Sequence, residues 1–297
     1  MRVLLTEGGG FLGTHALDAL HCRSYDVVVI GSCPPANLGR ARFIAADLLG
    51  SPDWPALVRQ AAASSLMHLA WYAEHGKYWA SPLNLRWVEA TVQLVEAFCE
   101  GDGRKVVVSD TCAEYDWSWG YCRENATPLA PATLYGTAKD ATRRLVMAVR
   151  AQHRMLCAWG RVFLPYGRGG ALDRFVPSLT AALLGQRQPF AINSTALHDS
   201  LHVTDVANTL TALLEADANG AFNICSGQPT ALADIAHLLA RHLGADPDPI
   251  LALEAFRLGE PLLLVGEALK MQAFGWRPAL TLDQGLARCA AEAKVSS

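Results

Sequence analysis

A strand that runs directly into a glycine-rich loop and then into a helix is the feature that most constrains this fold. Residues 2–6 are predicted to form a short buried strand, and the helical pattern of residues 14–22 follows closely. The loop between them places Gly8, Gly10 and Gly13 in the spacing Gly-x-Gly-x-x-Gly. This geometry brings backbone N–H groups and a helix N-terminus up to a pyrophosphate, so the loop predicts a dinucleotide site.

Strands and helices alternate through the first half of the chain. Further strands are expected at residues 26–30, 42–46, 65–70 and 105–109, with helices at 54–63, 83–100 and 135–152. The alternation predicts an α/β fold with a Rossmann-like, doubly wound parallel sheet. Residues 1–165 are expected to form the dinucleotide-binding domain. Residues 166–297 hold smaller, mixed elements and are expected to form mainly a substrate-binding lobe, with a segment near 196–216 returning to the first domain.

Composition excludes several classes of function. Of 297 residues 51% are hydrophobic and 18% charged, and a net charge of −3 gives no electrostatic case for nucleic acid. No apolar run reaches the ~20 residues of a membrane span. The N-terminus turns glycine-rich too soon for a signal peptide. The eight cysteines are scattered without a Cys-x-x-Cys pair, so we expect a cytoplasmic protein with reduced thiols and no metal site.

Residues after the second and third strands bear on cofactor selectivity. NAD-selective sites usually carry an acidic residue just after the second strand, whereas this chain has Gly31 and Ser32 there. Because no carboxylate would repel a 2′-phosphate, Ser32 and Arg40 are predicted to accommodate one. NADP is therefore favoured over NAD, which stays admissible. Asp47 and Leu48, after the third strand, are expected at an adenine edge.

A tyrosine and a lysine at the start of the helix at 135–152 are the predicted centre of the chemistry. Tyr135 and Lys139 lie four residues apart, one turn apart on one helix face. An ammonium beside a phenol lowers the phenol's pKa from about 10. A tyrosine tuned in this way can pass a proton to or from a hydroxyl or carbonyl. In a parallel sheet the glycine loop, the ends of the strands at 65–70 and 105–109 and this helix start all meet at one edge.

Eight short sequence motifs, including the glycine loop and the Tyr135–Lys139 pair, follow one another along nearly the whole chain. They are Thr6-Glu7-Gly8-Gly9-Gly10-Phe11-Leu12-Gly13, Asp47-Leu48, His68-Leu69-Ala70, Ser109-Asp110-Thr111, Tyr135-x-x-x-Lys139, His202-Val203-Thr204-Asp205-Val206, Phe222-Asn223-Ile224-Cys225-Ser226-Gly227 and Arg257-Leu258-Gly259-Glu260. Together they resemble the extended short-chain dehydrogenase/reductase family, in the branch that acts on nucleotide-activated sugars.

The resemblance implies a role for individual residues. Tyr135 is the expected acid/base, Lys139 both tunes it and holds the nicotinamide ribose, and Thr111 orients the sugar oxygen. Arg257 is expected to grip the substrate diphosphate, a task that suits the fork of a guanidinium. The remaining cofactor contacts are assigned to Gly8, Gly10, Phe11, Leu12, Gly13, Leu69, Ala70 and Ser109. The expected partner is a nucleoside-diphosphate sugar, and the helices at 83–100 and 135–152 suggest a homodimer contact.

Two differences from the family pattern, directly after Thr111, narrow the set of possible reactions. Family members that dehydrate the sugar at C5–C6 usually place Asp-Glu there, but this chain has Cys112 and Ala113. A thiol and a methyl group cannot replace that acid/base pair, which argues against a 4,6-dehydratase. With elimination excluded, hydride transfer is the reaction step that these residues allow. The lean toward NADP favours reduction of a 4-keto sugar, with a 4-epimerase that retains NAD as the alternative. A non-catalytic NAD(P)-binding sensor or scaffold is a third interpretation.

Other differences from the family pattern concern residues that bind the cofactor or the substrate. Glu7 replaces the family's first loop glycine, and a carboxylate so close to a pyrophosphate repels it unless its side chain turns away or is neutralised. Leu164 and His198 stand where relatives often have an asparagine and an arginine that contact substrate. Trp71 and Tyr72 are predicted to line the sugar or nicotinamide pocket, with core packing or a subunit contact as the alternative. The sequence therefore assigns neither the nucleotide nor the sugar.

Overall fold

The computed structural model describes residues 1–256 and 259–296. Its strands are β1 (Arg2–Thr6), β2 (Asp26–Gly31), β3 (Arg42–Ala45), β4 (Ser65–His68), β5 (Lys105–Thr111), β6 (Tyr121–Cys122), β7 (Leu156–Val162), β8 (Pro165–Tyr166), β9 (Leu197–His198), β10 (Leu201–His202), β11 (Gly220–Ile224), β12 (Thr230–Ala231) and β13 (Leu263–Gly266). Its helices are α1 (Phe11–Cys22), α2 (Trp54–Ala61), α3 (Leu83–Glu100), α4 (Leu134–Gln152), α5 (Phe175–Leu183), α6 (Val203–Glu215), α7 (Leu232–Leu243), α8 (Asp248–Leu251), α9 (Leu269–Ala273) and α10 (Leu282–Ser296).

Seven parallel strands form the main sheet in the order β11-β7-β5-β4-β1-β2-β3. This confirms the predicted Rossmann-like, doubly wound α/β fold. Both faces of such a sheet are covered, which explains the nearly continuous apolar runs of β1, β4 and β5. The winding reverses at β1, so a crevice opens between the carboxyl ends of β1 and β4, where ligands bind in open sheets.

Helices cover the sheet on both sides. On one face α3 and α4 pack together over a core that includes Leu94, Phe98 and Trp159. On the other face α1 packs against α6 over a core that includes Leu17 and Leu210. Two elements from the second half of the chain, α6 and β11, thus belong to the layers of the main sheet, and the predicted division into two domains stays a prediction. The homodimer suggested for α3 and α4 stays a prediction. Among the described residues, no helix combines the length and apolarity that crossing a membrane requires.

The second lobe has a core of its own between α5, α7 and α10, and a small sheet in the order β12-β9-β13-β6. Two short strands that follow each other closely, β9 and β10, belong to different sheets. Asp199 between them is buried and accepts hydrogen bonds from the backbone N–H groups of Ser226, Gly227 and Gly266. These bonds tie the segment between β9 and β10 to the turn after β11 and to the end of β13.

Candidate active site

A cavity of about 470 Å³ opens at the carboxyl edge of the sheet, between the sheet and the second lobe. Its floor contains the glycine loop and the ends of β4 and β5, and its far wall comes from the second lobe. The lining residues include Glu7, Gly10, Phe11, Leu12, Gly13, Leu69, Trp71, Tyr78, Trp79, Ser109, Asp110, Thr111, Trp117, Tyr135, Lys139, Leu164, Arg174, Phe175, His198 and Glu260. The cavity thus contains the predicted glycine loop together with the predicted Thr-Tyr-Lys set.

The glycine loop is packed in a way that only glycine allows at position 13. A Cβ on Gly13 would stand 1.8 Å from the carbonyl oxygen of Glu7, so α1 lies directly on the peptide that follows β1. A Cβ on Gly8 would stand 2.8 Å from Val29. Gly10 is the N-cap of α1, with no side-chain cap on the helix. A tight loop with free N–H groups at a helix N-terminus fits the pyrophosphate of a dinucleotide.

Close packing also places Tyr135 beside Thr111. A Cβ on Gly136 would stand 2.3 Å from the carbonyl oxygen of Ala113, so the first turn of α4 abuts the turn that follows β5. Thr111 accepts a hydrogen bond of 3.1 Å from the Ala113 N–H, which leaves its hydroxyl hydrogen free. The Thr111 hydroxyl and Tyr135 both line the cavity, and the Thr111 side chain lowers the pKa of Tyr135. The two predicted hydroxyls therefore converge at one point of the cavity wall.

Lys139 is buried, and its ammonium is held from three sides. Nζ donates a hydrogen bond of 3.2 Å to the Ser109 carbonyl oxygen, lies 4.1 Å from the ring centroid of Trp71 and lies 3.8 Å from Oδ1 of Asp110. Burial lowers the pKa of Lys139, while the negative charges of Asp110 and Glu114 oppose that shift. Trp71 therefore positions the lysine at the cavity wall and also packs against Trp87.

The pKa of Tyr135 differs from the sequence-based expectation. The Lys139 ammonium lies 6.0 Å from the centre of the phenol ring and faces Asp110 and Trp71 instead. Burial raises the pKa of Tyr135 well above 10, and the negative charge of Asp110 raises it further, whereas the hydrogen bond from Thr111 lowers it. Lys139 was expected to lower the pKa of Tyr135, but desolvation of the buried phenol has the larger effect and raises it. In the cleft as it stands, the phenol holds its proton at neutral pH.

A buried polar network behind the site was not predicted. Trp159 donates its indole N–H to both Asp110 and Glu114, and Arg161 forms an ion pair with Glu114 and hydrogen-bonds the Tyr115 hydroxyl. Burial and the neighbouring Glu114 charge raise the pKa of Asp110 well above its ordinary value. The signal that could have revealed this network is the presence of Asp110 and Arg161 inside otherwise apolar strands. Because these groups tie β5 to β7, they fix the backbone that carries Thr111.

Several predicted binding residues lie away from the cavity. Arg40 hydrogen-bonds the His21 carbonyl oxygen at the C-terminal end of α1, roughly 16 Å along the helix from the glycine loop, and its predicted 2′-phosphate contact stays a prediction. Tyr72 hydrogen-bonds Glu74 near the surface and is not among the residues that line the cavity, so its predicted contact with the sugar or nicotinamide stays a prediction. The others outside the cavity lining are Gly8, Ser32, Asp47, Leu48 and Ala70, and their predicted cofactor contacts stay predictions. Arg257 lies outside the described residues.

Further aromatic side chains and one arginine line the cavity near Tyr135 and the glycine loop. Tyr78 and Trp79 stand edge-on to Tyr135, with ring centroids 4.7 Å and 5.7 Å away. Trp117 packs edge-on against Trp79. Arg174, just before α5, lies 5.5 Å from the ring centroid of Phe11. The aromatic cluster after β4 was visible in the sequence. Which of its rings face the cavity depends on the path of residues 71–80, and no local pattern encodes that path.

Comparisons with known proteins agree with this geometry. The family model described as "NAD dependent epimerase/dehydratase family" matches residues 3–225. A UDP-glucose 4-epimerase from Halalkalibacterium halodurans is 23% identical over 94% of this chain and 91% of its own length. A dTDP-L-rhamnose 4-epimerase from Burkholderia thailandensis is 25% identical over 96% and 93%, respectively. The solved structure of MoeE5 in complex with UDP-glucuronic acid and NAD has a TM-score of 0.87 and 27% identity, and all of both chains is covered.

Proposed function

The chain belongs to the NAD dependent epimerase/dehydratase family, and we propose that it is an NAD-dependent 4-epimerase of a nucleoside-diphosphate sugar. The observation that carries this proposal is that Thr111, Tyr135 and Lys139 share one cavity with the glycine loop. The similar proteins named as 4-epimerases are matched over nearly their whole length. The similarity to MoeE5, whose structure holds UDP-glucuronic acid and NAD, supports this class of substrate and cofactor.

The residues of the cavity have different roles in the proposed reaction. When bound, NAD would take up a hydride from C4 of the sugar and return it. Tyr135 removes the C4 hydroxyl proton and later gives it back, and Thr111 hydrogen-bonds the same oxygen. The raised pKa of Tyr135 suits it to donate. To accept, it needs positive charge close by, which Lys139 and an oxidised nicotinamide would supply. Lys139 and the glycine loop are the residues that would hold the cofactor.

The walls of the cavity suit a change of configuration at C4. An epimerase must expose both faces of the sugar ring to one hydride donor, so the ring has to turn within the site. Tyr78, Trp79 and Trp117 offer broad apolar surfaces with few fixed hydrogen-bond partners. Such surfaces hold a sugar without locking one orientation. Cys112 and Ala113 offer no acid/base pair for elimination, so a dehydratase is not proposed.

Reduction of a 4-keto sugar is the second candidate. It was favoured by the missing acidic residue after β2, which leaves Gly31 and Ser32 where a carboxylate would repel a 2′-phosphate. The position of Arg40 weakens that argument, because its guanidinium is held at the far end of α1. The similar proteins are named as epimerases and MoeE5 is bound to NAD. The epimerase is therefore the better-supported proposal.

The test is a panel of UDP- and dTDP-linked hexoses and hexuronic acids, incubated with the purified protein and NAD⁺. Proton NMR of H4 is expected to show the C4 epimer accumulating to equilibrium with no net change in nicotinamide absorbance. Stoichiometric oxidation of NADPH or NADH by 4-keto sugars, without epimer formation, would instead identify a ketoreductase. Cofactor binding with no turnover on either panel would identify a non-catalytic sensor or scaffold.

A further inference from the structure

Glu7 has a backbone conformation that glycine adopts without penalty and other residues adopt only at a cost. Its φ is +60°, in the left-handed region, where the Cβ of a residue other than glycine crowds the backbone. Two contacts to the Glu7 carbonyl oxygen hold this backbone conformation. The Glu7 carbonyl oxygen accepts a hydrogen bond of 3.1 Å from Gly10, and α1 packs directly on the same oxygen at Gly13. The turn is therefore held in place although residue 7 is not a glycine.

The Glu7 side chain lies over the loop instead of turning away from it. A Cβ on Gly10 would stand 2.9 Å from Cγ and 3.0 Å from Oε1 of Glu7, so the carboxyl group covers the N-cap residue of α1. Glu7 lines the same cavity as Phe11 and Gly13. Partial burial there raises the pKa of the Glu7 carboxyl. Within residues 1–256 and 259–296, no ion pair neutralises it. This acidic group thus lies beside the loop and the N-terminus of α1, where a cofactor pyrophosphate is expected to bind.

We propose that Glu7 competes with the cofactor pyrophosphate for the glycine loop, so that NAD dissociates readily instead of remaining bound between turnovers. Binding requires the carboxyl group to leave Gly10 while two negative phosphates approach within a few ångströms. Like charges that lie close together repel, and the repulsion is stronger at the surface of a protein than in bulk water because the effective dielectric constant is lower there. The inference rests on the NAD binding of the proposed function and does not depend on which sugar is turned over.

The structure offers a matched control for both the charge and the backbone of Glu7. Asp102, in the turn between α3 and β5, is also acidic and exposed and has a φ of +62°. It precedes the amino end of β5 and so lies at the edge of the sheet opposite the cavity. Asp102→Asn removes the same charge as Glu7→Gln. Asp102→Gly relieves the same kind of backbone strain as Glu7→Gly.

The experiment measures NAD⁺ binding to the full-length variants by isothermal titration calorimetry, and urea unfolding without cofactor. Glu7→Gln is expected to lower the Kd for NAD⁺ by about tenfold or more, equivalent to about 1.4 kcal/mol. Glu7→Gly should lower the Kd at least as much and should also raise the urea midpoint. Asp102→Gly should raise the midpoint as well. Neither Asp102 variant should change the Kd.

Two outcomes separate this inference from the proposed function. If Glu7→Gln and the unaltered protein bind NAD⁺ with Kd values within about twofold, competition by Glu7 is overturned while NAD binding stands. If neither the unaltered protein nor any variant binds NAD⁺, the proposed function fails and the inference fails with it. A Kd lowered equally by Asp102→Asn would show a general effect of net charge and would also overturn the role of Glu7.

Discussion

Replacement of Arg161 by methionine is expected to destabilise the fold strongly, because it removes the closest cationic partner of the buried Glu114 carboxylate and leaves only the more distant Arg143, at 3.9 Å. Arg161 is 1% exposed and Glu114 is not exposed at all. The guanidinium pairs with Glu114, donates a hydrogen bond of 2.9 Å to the Tyr115 hydroxyl and lies 4.6 Å from the centre of the Tyr115 ring. Methionine fills a similar apolar volume, so the effect reports the lost charge and not a cavity.

The magnitude follows from the two interactions that are lost. Removing one partner of a buried ion pair costs about 3–5 kcal/mol, and the hydrogen bond to Tyr115 adds about 1 kcal/mol. Arg161→Met should therefore lower the free energy of unfolding by roughly 4–6 kcal/mol, out of a total that is usually about 5–15 kcal/mol. Adding Glu114→Gln to Arg161→Met removes the carboxylate charge that Arg161 neutralised. The double variant is therefore expected to recover about half of the loss.

Urea unfolding at 25 °C, followed by circular dichroism, measures both changes, provided that the slope m is the same for all variants. Glu114→Gln alone completes a double-mutant cycle. A loss below about 1 kcal/mol for Arg161→Met would refute the argument, because losses of that size are typical of exposed ion pairs. A double variant as unstable as the sum of the two single variants would also refute it, since it would show no coupling between Arg161 and Glu114.

Three further predictions concern the site itself. Tyr135→Phe should lower kcat by about 10²- to 10⁴-fold with an unchanged circular dichroism spectrum, and an unchanged rate would exclude Tyr135 as the acid/base. Because the folded protein holds the Asp110 proton more tightly than the unfolded chain does, this group lowers stability as pH rises from its ordinary pKa toward its raised one. Asp110→Asn should thus gain unfolding free energy relative to the unaltered protein between about pH 5 and 8, whereas a pH-independent difference would contradict the raised pKa. Gly13→Ala should weaken NAD⁺ binding by about tenfold or more and cost about 1–3 kcal/mol of stability, because its Cβ meets the Glu7 carbonyl oxygen. Gly31→Ala, whose Cβ meets no protein atom within 4 Å, should leave the stability unchanged and serves as the control in urea unfolding.

The sequence by itself determined the elements of this protein and the family pattern they carry. Strand burial, helical periodicity and glycine spacing are local properties, so the parallel sheet and the helix α3 (Leu83–Glu100) could be predicted from a few neighbouring residues at a time. The pairing of Tyr135 with Lys139 follows from the rise of one helical turn. Because ligands bind at the carboxyl edge of parallel strands, the approximate place of the cavity followed as well.

Only the tertiary structure decided the electrostatics and the walls of the site. The pKa of Tyr135 depends on burial and on Asp110, so its direction was opposite to the one expected from Lys139 alone. The path of residues 71–80, and not any periodicity, turns Tyr78 toward the cavity and leaves Tyr72 near the surface. The physical reason is the same in both cases. Desolvation and loop conformation depend on groups that are distant in the chain and become neighbours only when the sheet assembles.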